Sequence, residues 1–191
     1  MKISPFPPLL IIYICFIGCD KKSDIHHFSG ETMGTTYSIK IIDKIGQLKS
    51  QVSIKEKVDS LLVGINQHLS TYISDSEISM FNMNLSNNLF NASPELLEVV
   101  NESLKYYKLS NGSFDITIQP LVQAWGFSSE YKKMKFLDME LIDSLLLHIG
   151  SDKILIRGSS IYKDNSFLQI DVSAIAKGWG VDQVSKLLNS L

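Results

Sequence analysis

The sequence predicts an α+β fold, with strands and helices mixed rather than regularly alternating. Three observations lead there. Short segments alternate apolar and polar residues, separate segments carry apolar residues at helical spacing, and no repeated strand–helix order links the two kinds. With 191 residues, 45% of them hydrophobic and 20% charged, the chain can bury the core of one ordinary domain.

Thr35 to Ile42 sets Tyr37, Ile39 and Ile41 on one face and Thr36, Ser38 and Lys40 on the other, which predicts a half-buried strand. Ser53 to Leu69 places Ile54, Val58, Leu61, Leu62, Ile65 and Leu69 on one stripe of an amphipathic helix. A second helix is expected after Ser93-Pro94, with Leu96, Leu97, Val100, Leu104 and Tyr107 at helical spacing. Ser93 can cap its free amides, Pro94 fits its first turn, and Asn111-Gly112 supplies the stop. Ser113 to Ile118 then reads as a strand leaving that turn. Asp138 opens a third helix, with Ile142, Leu145, Leu146 and Ile149 inward and Gly150 at its end. Lys153 to Arg157 and Phe167 to Val172 are expected as short strands, joined by a polar turn around Lys163-Asp164-Asn165. Ser173 is expected to cap a last helix running from about Ala174 towards Leu188.

Several function classes are set aside by composition. A net charge of −2 without a long basic run gives no field for nucleic acid. Gly178-Trp179-Gly180 lacks the preceding strand turn and third glycine of a dinucleotide fingerprint, and no phosphate-loop motif is present. The only cysteines are Cys15 and Cys19, so no disulfide or thiolate metal site is available after residue 19. His26, His27, His68 and His148 form no metal-ligand pair with a neighbour and are read as structural or solvated.

The first residues read as a leader. Met1-Lys2 is a thin positive start, and Leu9 to Gly18 is apolar or small apart from Tyr13. Some ten residues span only ~15 Å as a helix, too short for a bilayer core of ~30 Å and suited to a signal peptide. Phe16-Ile17-Gly18-Cys19 resembles a bacterial lipobox, in which the cysteine is lipidated and becomes the new N-terminus. Cys15 fits less well because bulky Ile14 precedes it. The expected organisation is therefore a lipoprotein signal peptide over 1–18, a lipid anchor at Cys19, a polar tether over 19–27, and one domain over 28–191. A plain cleaved signal, or an uncleaved anchor, is the alternative.

Four polar segments interrupt the hydrophobic periodicity. Gly30 to Thr36 is a glycine-flanked loop where backbone can approach a ligand, or a plain entry to a strand. In Leu69 to Ser79, Tyr72 can stack on an aromatic ligand, or plug the core edge while Asp75 or Ser76 caps a following helix. Asp115, within Asn111 to Thr117, is an acid among apolar residues, which marks either a site or a capped turn. In Asp171 to Asp182, Lys177 and the start of a helix could cradle a phosphate, or form an ordinary junction with a surface lysine.

Taken in order, Thr32-Met33-Gly34-Thr35, Ser70-Thr71-Tyr72 with Asp75-Ser76-Glu77-Ile78-Ser79, Gly112-Ser113-Phe114-Asp115-Ile116-Thr117 with Trp125-Gly126-Phe127, and Asp171-Val172-Ser173-Ala174-Ile175-Ala176-Lys177-Gly178 resemble the successive signature segments of the ApbE family of FAD:protein FMN transferases. The resemblance spans nearly all of Phe28 to Leu191. It implies an α+β fold that binds FAD between two halves, and a Mg²⁺-dependent transfer of FMN from FAD to a threonine of an exported redox protein, releasing AMP. By the same resemblance, Met33, Tyr72, Ser113, Phe114, Asp115, Asp171 and Lys177 match FAD-contacting positions, and the main-chain carbonyl of Ala174 matches one magnesium ligand. No residue is assigned as general base for the threonine, a weak nucleophile at neutral pH.

Two positions depart from the pattern: Gln119 and Met80 stand where glycine and arginine are expected. Family members also continue well beyond the lysine-bearing helix, so the resemblance implies a C-terminal half missing here, together with the remaining metal ligands. A fragment of this kind is expected to be weakly active or inactive. The related activities are FAD hydrolysis to FMN and AMP, and flavin binding without chemistry. The expected setting is the cell envelope, with the protein held to a bacterial membrane by its lipid.

Overall fold

The computed structural model describes residues 24–43, 46, 48, 50–85, 88–127 and 138–191. The signal peptide expected over 1–18 and the lipid anchor expected at Cys19 lie outside them. Among the described residues no helix is long and apolar enough to cross a membrane. The architecture is α+β, as expected, and the described residues form a two-stranded hairpin, a three-stranded antiparallel sheet and six α-helices.

The hairpin comes first. Strand β1 (Asp24–Thr32) pairs antiparallel with β2 (Thr35–Asp43), closing with Thr32 opposite Thr35. Two residues make the turn, Met33 at φ 51° and Gly34 at φ 69°, a left-handed pair that suits a two-residue hairpin. The sequence reading took Gly30 to Thr36 as a loop and the residues before Phe28 as tether. In the structure β1 takes in both His26 and His27, and only Phe28 of its nine residues is buried. A strand so polar carries little hydrophobic alternation to read.

Helix α1 (Gln51–Leu69) buries Ile54, Val58, Leu62, Ile65 and Leu69, the expected stripe, and Ser50 caps it by accepting from the Ser53 amide. Ser76 caps α2 (Glu77–Met83) in the same way, through the Ser79 amide. Glu77 then reaches across to the next helix. One of its oxygens accepts from the Ser93 amide at 2.6 Å, and the other from the Ser93 hydroxyl at 2.6 Å and from His68 Nδ1 at 2.6 Å. Ser93 in turn caps α3 (Pro94–Leu109), with Pro94 in its first turn as expected. Between α2 and α3 lies the short strand β3 (Phe90–Asn91).

Three expected elements differ. The segment Ser113 to Ile118 is not a strand: it ends in a 3₁₀ turn (Ile116–Ile118) that runs into α4 (Gln119–Ala124). Asp115 caps that turn by accepting from the Thr117 amide at 2.8 Å, and this local bond competes with any sheet ladder. Helix α5 (Met139–Leu146) starts at its Asp138 cap, but none of its residues is fully buried and Leu146 is half-exposed. After a second 3₁₀ turn (Ser151–Lys153), β4 (Ile154–Arg157) pairs with β5 (Ser160–Lys163), not with Phe167 to Val172. The sheet order is β3-β5-β4.

Residues 167–172 form a strap whose burial alternates like that of a strand, with Leu168, Ile170 and Val172 fully buried and Phe167 exposed. The strap ends at helix α6 (Ser173–Asn189). One contiguous core unites β1, α1, α2, α3, the sheet, the strap and α6.

Candidate functional site

Of the expected site residues, Met33, Tyr72 and Lys177 line one cleft, Phe114 and Ala174 a second, and Asp115 sits in a half-buried knot, while Ser113 and Asp171 line neither cleft. The first cleft, about 790 Å³, is lined by Met33 and Gly34 of the hairpin turn, Ser70 to Ile73 after α1, and Ser173, Ala176 and Lys177 of α6. Segments far apart in sequence thus bring Met33, Tyr72 and Lys177 to one cavity, of a size typical for small-molecule sites.

Local bonds set each wall. Thr32 Oγ1 accepts from Asn66 Nδ2 at 3.0 Å, tying the hairpin to the last turns of α1. The Ser76 hydroxyl donates to the Ser70 carbonyl at 2.6 Å and folds the Tyr72 loop back on α2. Tyr72 is 62% exposed, so it does not plug the core. Its hydroxyl donates to the Phe127 carbonyl at 3.2 Å, leaving the ring face free to stack. Gly180 is where α6 receives the hairpin turn, since a Cβ there would stand 3.2 Å from Met33 Cε.

Lys177 is exposed and makes no ion pair among the described residues, so its ammonium is available to an anion. The start of α6 differs from the expected phosphate cradle. Ser173 is the first helical residue rather than the cap, and no side chain of the cap residue, Val172, serves the helix. Asp171 Oδ1 instead accepts from the Ser173 amide at 2.7 Å and from its hydroxyl. A carboxylate therefore already satisfies part of the helix end, and the free cationic group of this wall is Lys177.

Across α6 lies a second cleft of about 920 Å³, where Phe114 and Tyr106 meet edge to face at 6.1 Å, close to Ala174, Ile175 and Gly178. Phe114 and Ala174 are thus brought together, but apart from the Tyr72 wall. Ser113 is exposed at the turn after α3, its amide donating to the Ser110 carbonyl.

Asp115 belongs to neither cleft. Its carboxylate accepts from Thr117 N (2.8 Å) and Oγ1 (2.6 Å) and from Ser151 N (3.2 Å) and Oγ (2.6 Å). This knot joins the two 3₁₀ turns, and Gly150 N extends it by donating to Thr117 Oγ1 at 2.7 Å. Of the two readings left open for Asp115, the structure supports the capped turn.

Among the described residues no three or more His, Cys, Asp or Glu side chains converge as metal ligands. Sequence reasoning did not pick out Val63, Asn66 and Gln67, which line the first cleft from the exposed side of α1. Their signal was the arrival of polar and small residues on that helix just before its polar C-terminal loop.

Residues 33–191 match the model of the ApbE family. The chain belongs to the ApbE family. It is 39% identical over 173 residues to the FAD:protein FMN transferase of Vibrio cholerae serotype O1, covering 91% of this chain and 52% of that protein. Identity to the FAD:protein FMN transferase of Haemophilus influenzae is 33% over 178 residues, covering 91% and 51%. The fold is that of ApbE structures too. The flavin transferase ApbE from Vibrio cholerae superposes with a TM-score of 0.84 at 38% identity, and the apo flavinyl transferase ApbE of Pseudomonas stutzeri with 0.83 at 29%. Each superposition covers 88% of this chain and 54% of the other, so the chain spans about half the length of these ApbE relatives.

Proposed function

We propose that the protein takes part in transfer of FMN from FAD to a threonine hydroxyl of an exported acceptor protein, with release of AMP. The observation that carries this reading is the convergence of Met33, Tyr72 and Lys177 on one cleft of about 790 Å³. Each residue type suits a part of the substrate. Tyr72 offers an aromatic face for a flat ring, Met33 a pliable apolar contact, and Lys177 a positive charge for a phosphate. The relatives from Vibrio cholerae and Haemophilus influenzae are named FAD:protein FMN transferases, which supports the flavin-transfer part of this reading.

In this reading FAD is the substrate and Mg²⁺ the required ion. The ion would polarise the diphosphate as the P–O bond to the AMP side breaks. The Ala174 carbonyl is the ligand this chain would offer it. The acceptor is a threonine-bearing exported redox protein, and the setting is the cell envelope, reached through lipidation at Cys19.

The test is an assay of the chain from Ser23 to Leu191 with FAD, Mg²⁺ and a threonine-bearing acceptor peptide, repeated with a chelator. Weak production of AMP together with covalently flavinylated peptide, both lost on chelation, is the expected result. AMP without flavinylated peptide would make the enzyme a pyrophosphatase, and FAD bound without any AMP would make it a binder. Either overturns the transferase reading.

A second expectation concerns Lys177. Its replacement by methionine keeps the stem and removes the charge, and should weaken FAD binding about tenfold, or ~1.4 kcal/mol. Flavin fluorescence quenching measures it; an unchanged dissociation constant would remove Lys177 from the phosphate site.

A further inference from the structure

The strap 167–172 is buried on alternate residues, yet it belongs to neither sheet among the described residues. Its main-chain groups therefore cannot be satisfied by a ladder and must be met individually. Asn82, in the last turn of α2 and 7% exposed, meets two of them at once. Its Nδ2 donates to the Ile170 carbonyl at 2.8 Å, and its Oδ1 accepts from the Ile170 amide at 2.7 Å. Lys163, 2% exposed at the end of β5, meets a third. Its Nζ donates to the Leu168 carbonyl at 3.1 Å and to the Phe81 carbonyl at 3.2 Å. The Asp171 amide donates to the Ile116 carbonyl at 2.7 Å, and at the start of the strap the Phe167 and Leu168 amides donate to Asn165 Oδ1 and its carbonyl.

No carboxylate pairs with Lys163 among the described residues; its neighbours are those two carbonyls and the Phe81 ring, 5.0 Å away. A lysine buried without a counter-charge is costly. What it supplies in return is a bond that binds the strap and α2 to one ammonium. Asn82 and Lys163 line neither cleft, but the strap they hold runs straight into α6, whose Ser173, Ala176 and Lys177 line the first one.

We infer that Asn82 and Lys163 are positioning residues of the candidate site, fixing the height of the strap and so the placement of Lys177 in the cleft. The inference rests on the reading of that cleft as the FAD site. It deepens that reading by extending the machinery to two side chains that never touch the substrate.

Hydrogen exchange followed by mass spectrometry, paired with FAD titration, tests it. The full chain is compared with Asn82→Leu and Lys163→Met, at a temperature where each remains folded. Two variants are used so that a folding failure in one leaves the other to decide. The expected result is exchange at least tenfold faster in the peptide spanning the strap and the first turn of α6. Exchange in α1 and α3 should stay unchanged, and the FAD dissociation constant should rise about tenfold. A merely structural role would spare the FAD affinity of a protein that is still folded. Exchange that is unchanged, or faster everywhere alike, would overturn the inference, as would a loosened strap with wild-type FAD affinity. A wild-type chain that binds no FAD overturns the reading of the cleft itself, which the variants alone could not do.

Discussion

Replacing Asp115 by alanine should lower the unfolding free energy by about 4 kcal/mol, the largest single loss expected in this protein. Hydrogen bonds to a charged acceptor contribute roughly 1.5–3 kcal/mol each, and bonds to one carboxylate do not add in full. The partners matter as much as the acid. Thr117 and Ser151 are buried, so their amides and hydroxyls would be stranded without water to replace the carboxylate. Asparagine is expected to recover only about half of the loss. It keeps one acceptor oxygen but turns an NH₂ donor towards other donors. Urea denaturation of the two variants against the wild type measures both values. Loss of less than 1 kcal/mol in the alanine variant would show that the knot does not hold the two 3₁₀ turns together.

The second large effect follows from Lys163 and runs with pH. Burial pushes its ammonium down from the usual lysine value of 10.5 to about 8. Below pH 8 the group is protonated in both the folded and the unfolded chain, and the full cost of burying the charge is present. Between about 8 and 10.5 the unfolded chain binds the proton more tightly, so folding gains as pH rises through that window. A gap of some 2.5 units, at about 1.36 kcal/mol each, predicts a rise of about 3 kcal/mol from this group. Urea midpoints across pH 7 to 10.5 should show that slope, and Lys163→Met should remove it. A wild-type profile no steeper than that of the methionine variant would mean that water reaches the ammonium.

The elements that could be read in advance are those whose pattern and caps agree. Helices α1 and α3 carry unbroken apolar stripes, and Ser93-Pro94 marks the start of α3 without ambiguity. Strand β1 escaped because His26, His27, Ser29 and Glu31 leave its two faces hard to tell apart. Ile116, Thr117 and Ile118 look like a strand by propensity, yet a bond from Asp115 and the tolerance of a first helical turn for Pro120 settle them otherwise. The strap shows the converse. Its alternation was legible, but alternation records burial and is silent on what supplies the hydrogen bonds. Here side chains from α2 and β5 do so, 88 and 5 residues away. The site divides along the same line. The segments were legible, whereas the split between two clefts, and the withdrawal of Asp115 into a knot, depend on long-range pairing that spacing does not encode.

The contact between the hairpin turn and α6 has a consequence for the shape of the cleft mouth. Gly180 leaves room for the Met33 methyl, and that methyl is the end of a side chain with three freely rotating bonds. The mouth therefore closes against a cushion instead of a rigid wall. A single added methyl at position 180 would press on the cushion, displacing Met33 by a fraction of an ångström, while a branched side chain there would drive it into the opening. Aperture is thus adjustable from α6 itself, at a residue that carries no polar chemistry at all.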